Sequence, residues 1–321
     1  MDDRQHPREK IKNLPRAKRV QYLLEYAGFI VLKALVIGLK REWARKLGRF
    51  SGRVAWKFDK RHRKMALYNT AAAFLGEKKI AETREIARNN FIHLGETAID
   101  LIKSTEMKRE NKDRFFTFEN TDIVERELEI LKKTKNGAIA LSAHLGSQEM
   151  LVGHVLKYGI GKETIITKRI RNPYIDYFVQ TQREKLGVKV LPHRGSGKEV
   201  VKRITNGEII VFLLDQRASY HEGVKCRFFG RPVVAHKSVA QLALAFDLQV
   251  VPLFPIKQPD GRYNMIYLEK LDLPKTGDMD RDTKTLTQMF QDVIEQMVRK
   301  YPEQWWWAHD RWKRAEEMPD D

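Results

Sequence analysis

The sequence predicts an α/β fold, a central and mostly buried sheet flanked by helices, behind a basic helical N-terminal region. Three observations carry this expectation. Two short apolar runs, Gly137-Ala-Ile-Ala-Leu-Ser-Ala143 and Ile209-Ile-Val-Phe-Leu-Leu214, read as strands buried on both faces. Segments of helical period lie between such runs, and strands alternating with helices argue for a largely parallel sheet. The third is charge: of 60 Lys+Arg and 42 Asp+Glu, residues 1–70 hold 19 and 6, so +13 of the net +18 sits at the N-terminus.

Composition narrows the class further. Of 321 residues, 42% are apolar and 32% charged. That is enough to bury a core, and it excludes both a polytopic membrane protein and a disordered chain. A single cysteine, Cys226, excludes an internal disulfide and a Cys-rich zinc site, and fits a reducing compartment. It is expected to be a packed, inert thiol. No repeat or low-complexity segment stands out.

Residues 22–39 are apolar apart from Glu25 and Lys33. The uninterrupted part, 26–32, is far shorter than the roughly 20 residues of a spanning helix. No small-residue cleavage site follows; the charged Lys40-Arg41-Glu42-Trp43 does, which argues against a secretory signal. Two readings stand. One is a membrane-associated or marginally inserted helix whose cations, including the 57–64 cluster, face anionic lipid phosphates on the cytoplasmic side, with Trp43 and Trp56 nearby. The other is a buried amphipathic helix with a solvated basic face. Residues 1–64 are therefore taken as a basic N-terminal region carrying helix 22–39, residues 65–315 as the main domain, and 316–321 as an acidic tail.

From 65 to about 130 the pattern is helical, clearest in 84–104 with Ile86, Ala87, Phe91, Leu94, Ile99 and Leu101 near a 3.6-residue period. Residues 115–118 read as a break and 121–133 as a helix. Strands are then expected at 137–143, 164–167, 188–191, 209–214, 249–252 and 263–268. Helices are expected at 147–157, 173–186, 198–204, 237–246 and 283–300, and the stretch between 214 and 237 reads as a loop.

In open α/β sheets the chemistry collects beyond the strand C-termini. That directs attention to 144–149, 168–171 and 215–217. His144 follows a buried strand and Glu149 falls at the next helix start. On one straight helix they would point about 140° apart, so they meet only through a turn, which Gly146 permits. A carboxylate on one imidazole nitrogen fixes the tautomer and stabilises the imidazolium formed when the other nitrogen takes a proton. His144 with Glu149 is thus the expected general base and orienting acid. Gly195-Ser-Gly-Lys198 lacks phosphate-loop spacing, since Glu199 follows the lysine; this excludes nucleotide binding, though the helix-start amides suit a lipid phosphate. Trp305, Trp306, Trp307 and Trp312 form either a lid over the core or an interfacial belt or acyl-chain wall.

Five motifs in order resemble the lipid A biosynthesis (late, or secondary) acyltransferases, within the lysophospholipid acyltransferase superfamily. His144-x4-Glu149 is similar to the superfamily's His-x4-Asp/Glu. Ile170-Arg-Asn-Pro173 with Asp176 resembles its Asn-Pro-x-x-Asp segment. Asp215-Gln216, then Phe228-Phe-Gly230 before a helix and Val251-Pro252, and the C-terminal Trp305-Trp-Trp-Ala-His-Asp-Arg-Trp-Lys313 follow in the same order. The resemblance runs from the N-terminal apolar segment through Lys313.

The resemblance implies a glycerolipid acyltransferase-like fold. It implies transfer of a fatty acyl chain from an acyl carrier protein thioester to a hydroxyl of a membrane glycolipid, a lipid A precursor, with no cofactor or metal. His144 would deprotonate the hydroxyl and Glu149 would orient it. Arg169 or Arg171 would stabilise the oxyanion or bind the donor. The family arginine position corresponds to Lys168 here, so the choice among the three stays open; a guanidinium fork that cannot lose its proton favours Arg169. Leu145, Gly146, Ser147, Lys168, Asp215 and Gln216 would bind the acceptor. Asp215 has two further readings, a partner for Arg169 or a loop cap. Implied partners are the acyl carrier protein, the glycolipid acceptor and an anionic membrane surface, at the cytoplasmic face of a bacterial inner membrane. A close alternative replaces the acceptor by a lysophospholipid or a phosphatidylinositol mannoside. A distant one, a non-catalytic nucleic-acid binder, finds no helix-turn-helix, zinc-finger or RNP pattern.

Overall fold

The computed structural model describes residues 7–12, 14–134, 136–159 and 163–313; the expected acidic tail, 316–321, lies outside the described residues. Five helices open the chain: α1 (Pro7–Ile11), α2 (Arg16–Gly38), α3 (Arg41–Phe58), α4 (Lys60–Ala73) and α5 (Ile80–Lys103). Asp59 separates α3 from α4 and caps the latter, accepting from His62 N at 3.0 Å. α3 and α5 meet backbone to backbone along a glycine seam. A Cβ on Gly52 would stand 2.3 Å from Phe91 O, and one on Gly95 2.2 Å from Gly48 O. The expected boundary at 64/65 is thus crossed by a close helix–helix contact.

The remaining elements are β1 (Phe116–Glu119), α6 (Thr121–Thr134), β2 (Ala138–Ser142), α7 (Val152–Tyr158), β3 (Glu163–Thr167), α8 (Pro173–Lys185), β4 (Lys189–Pro192), α9 (Gly197–Thr205), β5 (Ile209–Leu213), β6 (Gly223–Phe228), β7 (Arg231–His236), α10 (Ser238–Ala245), β8 (Gln249–Lys257), β9 (Tyr263–Tyr267) and α11 (Met279–Lys300). Seven strands form one sheet in the order β1-β9-β8-β2-β5-β3-β4. Every pair in it is parallel except β8–β9. The fold is α/β, as expected, with the apolar 137–143 and 209–214 runs as neighbouring central strands.

Strand alternation sends side chains to opposite faces. Ile139 and Leu141 join one core with Phe290, Ile294, Trp305 and Trp307. A second core, holding Met150, Leu151, Val155, Leu253 and Met265, lies under α7. Trp305, Trp307 and Trp312 are buried, so three of the four tryptophans sit in the core, as the lid reading expects.

Three local expectations are corrected. The expected break at 115–118 overlaps β1, a four-residue strand too short for a periodic signal, recruited by parallel pairing with β9. The supposed loop between 214 and 237 holds the β6–β7 hairpin. Its two-residue turn is Phe229-Gly230 with both φ positive, a turn whose usual signature is Asn-Gly or Asp-Gly rather than Phe-Gly. Phe229 is held there by its N–H bond to Glu295 and by Arg299, whose guanidinium lies 4.4 Å from the ring centroid. The helix expected from 147 begins as a 3-10 turn, Gln148–Leu151, and becomes α-helical at Val152.

Candidate active site

β2 and β5 pair in register, with Ser142 opposite Leu213. The register persists past the strands, where Leu214 N donates to Ser142 O at 3.1 Å. The next residues on each strand are therefore His144 and Asp215, side by side at the C-terminal edge. His144 Nδ1 donates to Asp215 Oδ1 at 2.8 Å. Asp215 Oδ2 accepts from His144 N at 3.0 Å and from Trp305 Nε1 at 2.8 Å. Three donors fix the carboxylate, which in turn fixes the imidazole with Nε2 as acceptor. Gln216 Nε2 lies 3.3 Å from that nitrogen. Trp306, 39% exposed, stands beside the ring at 5.5 Å between centroids.

The electrostatics follow from burial and pairing. Burial alone would raise the Asp215 carboxyl; the charge and hydrogen bond of His144, with the Trp305 bond, outweigh it and bring it down to about 2. Burial would lower His144, but the Asp215 charge and hydrogen bond leave it above its ordinary value. The pair is an ionised carboxylate supporting an imidazole of increased basicity.

The expected His144–Glu149 contact is not made. Glu149 is held bidentately by Arg183 of α8, with Nε to Oε2 at 2.9 Å and Nη2 to Oε1. The 3-10 turn carries Glu149 toward α8, while the strand register supplies Asp215 to the histidine. Asp215 therefore does not partner Arg169 either: Arg169 Nη1 lies 3.1 Å from Asp176 Oδ2. Asp176 also accepts from Ile170 N at 2.9 Å, so the Asn-Pro-x-x-Asp segment ties down its own loop. Lys168 and Arg171 are exposed on that loop.

Of the other expected acceptor-binding residues, Gln216 is at the imidazole and Gly146 shapes the turn. Leu145, Ser147 and Asp215 are buried and face the protein rather than a ligand. Leu145 bridges to Trp305, and Gly146 N donates to Gln304 O at 3.0 Å. Gly146 has φ +69, and a Cβ would fall 1.7 Å from Pro255 O, so only glycine fits. His93 Nε2 donates to Gly146 O at 2.8 Å. Burial pushes His93 down to about 4, keeping it neutral for that bond.

Sequence reasoning missed Arg183, His93 and the Trp305 indole as parts of this site. Arg183 lies on an ordinary amphipathic helix, and only the tertiary approach of α8 reveals it. The C-terminal segment is stitched to the helical layer: Asn90 Nδ2 donates to Trp305 O at 2.6 Å and Asn69 Nδ2 to Trp307 O at 2.7 Å. Cys226 is buried, and burial pushes its thiol up to about 12, which makes it an inert packing group. Among the described residues no group of three or more His, Cys, Asp or Glu side chains is arranged to hold a metal.

Beside the Glu149–Arg183 pair opens a narrow cavity of about 40 Å³ between the sheet and helices α7 and α8. Its walls include Ala140, Ile165, Val211, Val155 and Leu186, and His154 and Glu163 also line it. This geometry gives one proton acceptor at a sheet edge and an apolar slot beside the Glu149–Arg183 pair.

Among known proteins, the sequence profile of the bacterial lipid A biosynthesis acyltransferases matches residues 11–314. A lipid A biosynthesis lauroyltransferase of Escherichia coli (strain K12) is 26% identical over 315 residues, 96% of this chain and 98% of that protein. A lipid A biosynthesis acyltransferase 2 of Shigella flexneri is 23% identical over 267 residues, 82% of this chain and 80% of its own length. A lipid A biosynthesis acyltransferase of Haemophilus influenzae (strain ATCC 51907 / DSM 11121 / KW20 / Rd) is 23% identical over 138 residues, 43% of this chain and 42% of that protein.

Proposed function

The chain belongs to the bacterial lipid A biosynthesis acyltransferase family, and we propose that it moves a fatty acyl chain from an acyl carrier protein thioester to a hydroxyl of a lipid A precursor. The reaction takes place at the cytoplasmic face of the bacterial inner membrane. The observation that carries the mechanism is the Nε2 of His144, met by Gln216 at 3.3 Å and oriented from behind by buried Asp215.

His144 Nε2 takes the proton of the acceptor hydroxyl, displacing the weak Gln216 contact, while the oxygen attacks the thioester carbonyl. A tetrahedral oxyanion forms and collapses, the C–S bond breaks, and the imidazolium returns its proton to the leaving thiolate. The products are an ester and the carrier's free thiol. Asp215 stabilises the imidazolium in between. The 168–171 loop supplies positive charge to the oxyanion and to phosphates of donor and acceptor; Arg169 is steadied by Asp176, and Lys168 and Arg171 face outward. Glu149 shapes the entrance to the apolar slot through Arg183, and the slot takes the acyl chain. Residues 65–315 carry this chemistry.

The test is transfer by the purified full chain in detergent micelles, from a dodecanoyl carrier thioester to a lipid A precursor, a lysophospholipid or a phosphatidylinositol mannoside. The expected product is the acylated lipid A precursor. It should be lost in a His144→Ala protein of unchanged melting temperature. Transfer to the lysophospholipid or mannoside alone would overturn the acceptor. Undiminished transfer by folded His144→Ala would overturn the mechanism.

A further inference from the structure

α2 is 23 residues long and apolar enough to cross a membrane. At about 1.5 Å per residue its length of roughly 34 Å also suffices. What it packs against decides otherwise. Its inward positions are Tyr22, Tyr26, Phe29, Lys33 and Val36, at steps of four and three, which is one helix face. Each is engaged. Tyr26 stacks on Tyr174 at 5.2 Å and Phe29 meets Phe178 edge-on at 5.1 Å. Lys33 Nζ lies 4.6 Å over the Phe178 ring. Val36 is buried in a cluster with Ala44, Ile99 and Ile102. At the C-terminal end Lys103 Nζ donates to Ile37 O and Leu39 O, at 3.1 and 2.9 Å.

The opposite face is apolar and uncovered. Val20, Leu24, Val31 and Leu35 recur at helical spacing, with Leu24 68% and Leu35 62% exposed. Exposed cations sit at both ends: Arg16 and Lys18 before this stripe, Lys40 after it. An apolar stripe between cations complements the acyl–headgroup boundary of an anionic bilayer. We infer that α2 lies in the plane of one leaflet of such a bilayer and does not cross it.

Crossing would require one of two things. Either α5 and α8 enter the hydrocarbon beside α2, carrying Lys103, Asp176 and Arg183, whose burial in lipid is costly. Or α2 swings away and leaves Phe29, Tyr26 and Asn172 without their partners. Lying flat needs neither. It also has a consequence for the site. Asn172 follows Arg171 and caps α8, and its Nδ2 donates to Tyr22 O and to Glu25 Oε2, both at 2.9 Å. The depth of α2 therefore sets the height of the 168–171 cations above the lipid phosphates. The inference rests on the membrane location proposed above and is independent of which lipid is acylated.

The test places one cysteine at a time at residues 20, 24, 31 and 35 of the full chain. Buried Cys226, with its raised pKa, stays unlabelled. Spin labels at the four sites are measured for depth on vesicles of phosphatidylethanolamine and phosphatidylglycerol. The expected result is one shared depth, roughly 5–10 Å below the phosphates. A depth that runs from one headgroup layer through the midplane to the other overturns the inference, and so do labels that remain in water while the protein is bound. As a second measurement, the Phe29→Cys/Phe178→Cys protein is oxidised to a disulfide before vesicles are added. It should float with vesicles as fully as its reduced form; a tenfold loss on oxidation would mean that α2 must leave the body. Acyl transfer in detergent, run alongside, separates failure of the functional reading from failure of the orientation.

Discussion

His144 Nδ1 donates to Asp215 Oδ1 at 2.8 Å across two neighbouring parallel strands. The relationship is a product of register: equal loop lengths beyond Ser142 and Leu213 bring the two side chains level. It places a buried anion behind a partly exposed imidazole, and the catalytic pH behaviour follows from it. Only the neutral imidazole accepts a proton. Asp215 raises the His144 pKa above its ordinary value, so kcat/KM should fall on acidification with a midpoint above 6.5, as the base is lost below its pKa. In Asp215→Asn the charge is gone and burial dominates, so the midpoint should move below 6.5 while the plateau drops about 10²–10⁴-fold. Paired pH–rate profiles check this; an unmoved midpoint would remove Asp215 from the mechanism.

Glu149 and Arg183 form a mostly buried pair, 15% and 13% exposed in their side chains. Removing one partner leaves the other charge without compensation, at a cost of about 3–5 kcal/mol. Glu149→Ala should therefore lose several degrees of Tm as well as activity. Glu149→Leu/Arg183→Met, which removes both charges and keeps volume, should recover most of the Tm. Recovery of transfer along with it would assign the pair to slot shape, whereas a stable and inactive double variant would assign Glu149 a contact with substrate.

Two glycines with similar φ make a controlled comparison. A Cβ on Gly146, at φ +69, would fall 1.7 Å from Pro255 O, while one on Gly195, at φ +74, would meet open space. Gly195→Ala should cost about 1 kcal/mol, from backbone strain alone. Gly146→Ala adds a backbone clash, displaces the turn that follows His144, and should cost more than about 3 kcal/mol. Chemical denaturation of both proteins measures the difference; equal losses would mean that the Gly146 turn is not confined by β8.

Lys57, Lys60, Arg61 and Lys64 are exposed on α3 and α4. An acidic carrier protein would be steered by such a surface, and steering is screened beyond about 8 Å at physiological salt. Added salt should therefore raise KM for a carrier thioester more than for acyl-coenzyme A, which presents less docking surface. Reversing these charges should act like salt in detergent micelles. Equal salt slopes for both donors would move the carrier to another surface.

The sheet was legible because its central strands are apolar on both faces, and the site's location followed from where those strands end. His144 was legible for the same reason. Its partner was not. Glu149 is near in sequence and Asp215 is near in space, and the choice between them depends on register and on the 3-10 turn at Gln148–Leu151, neither of which leaves a periodic signal. β1 and the Phe229-Gly230 turn were missed because tertiary pairing and Glu295 supply what local sequence does not. For residues 22–39 the spacing of Tyr22, Tyr26, Phe29, Lys33 and Val36 was present in the sequence, but an apolar opposite face hides such a stripe.

The slot's lining predicts acyl-chain preference. Its strand walls are Ala140 of β2, Glu163 and Ile165 of β3, and Ile209 and Val211 of β5, with Ile209 opposite Glu163. Among its lining residues His154 Nε2 and Glu163 Oε1 lie 4.0 Å apart, polar groups that disfavour adjoining methylenes. Burial pushes His154 down to about 4, so the imidazole is neutral there. With about 40 Å³ of open volume, an acyl chain taken up here would have to displace wall side chains rather than fill a void. Ala140 lines the wall. Ala140→Leu should therefore shorten the preferred chain, lowering kcat/KM for a dodecanoyl thioester relative to an octanoyl one by at least about tenfold. Overpacking costs about 1–3 kcal/mol, so Val155→Phe, which fills the slot from the helix side, serves as a second variant. Competition among octanoyl, decanoyl, dodecanoyl and tetradecanoyl thioesters reads out the ratio. If two folded variants keep the unaltered preference, the acyl chain lies outside this slot.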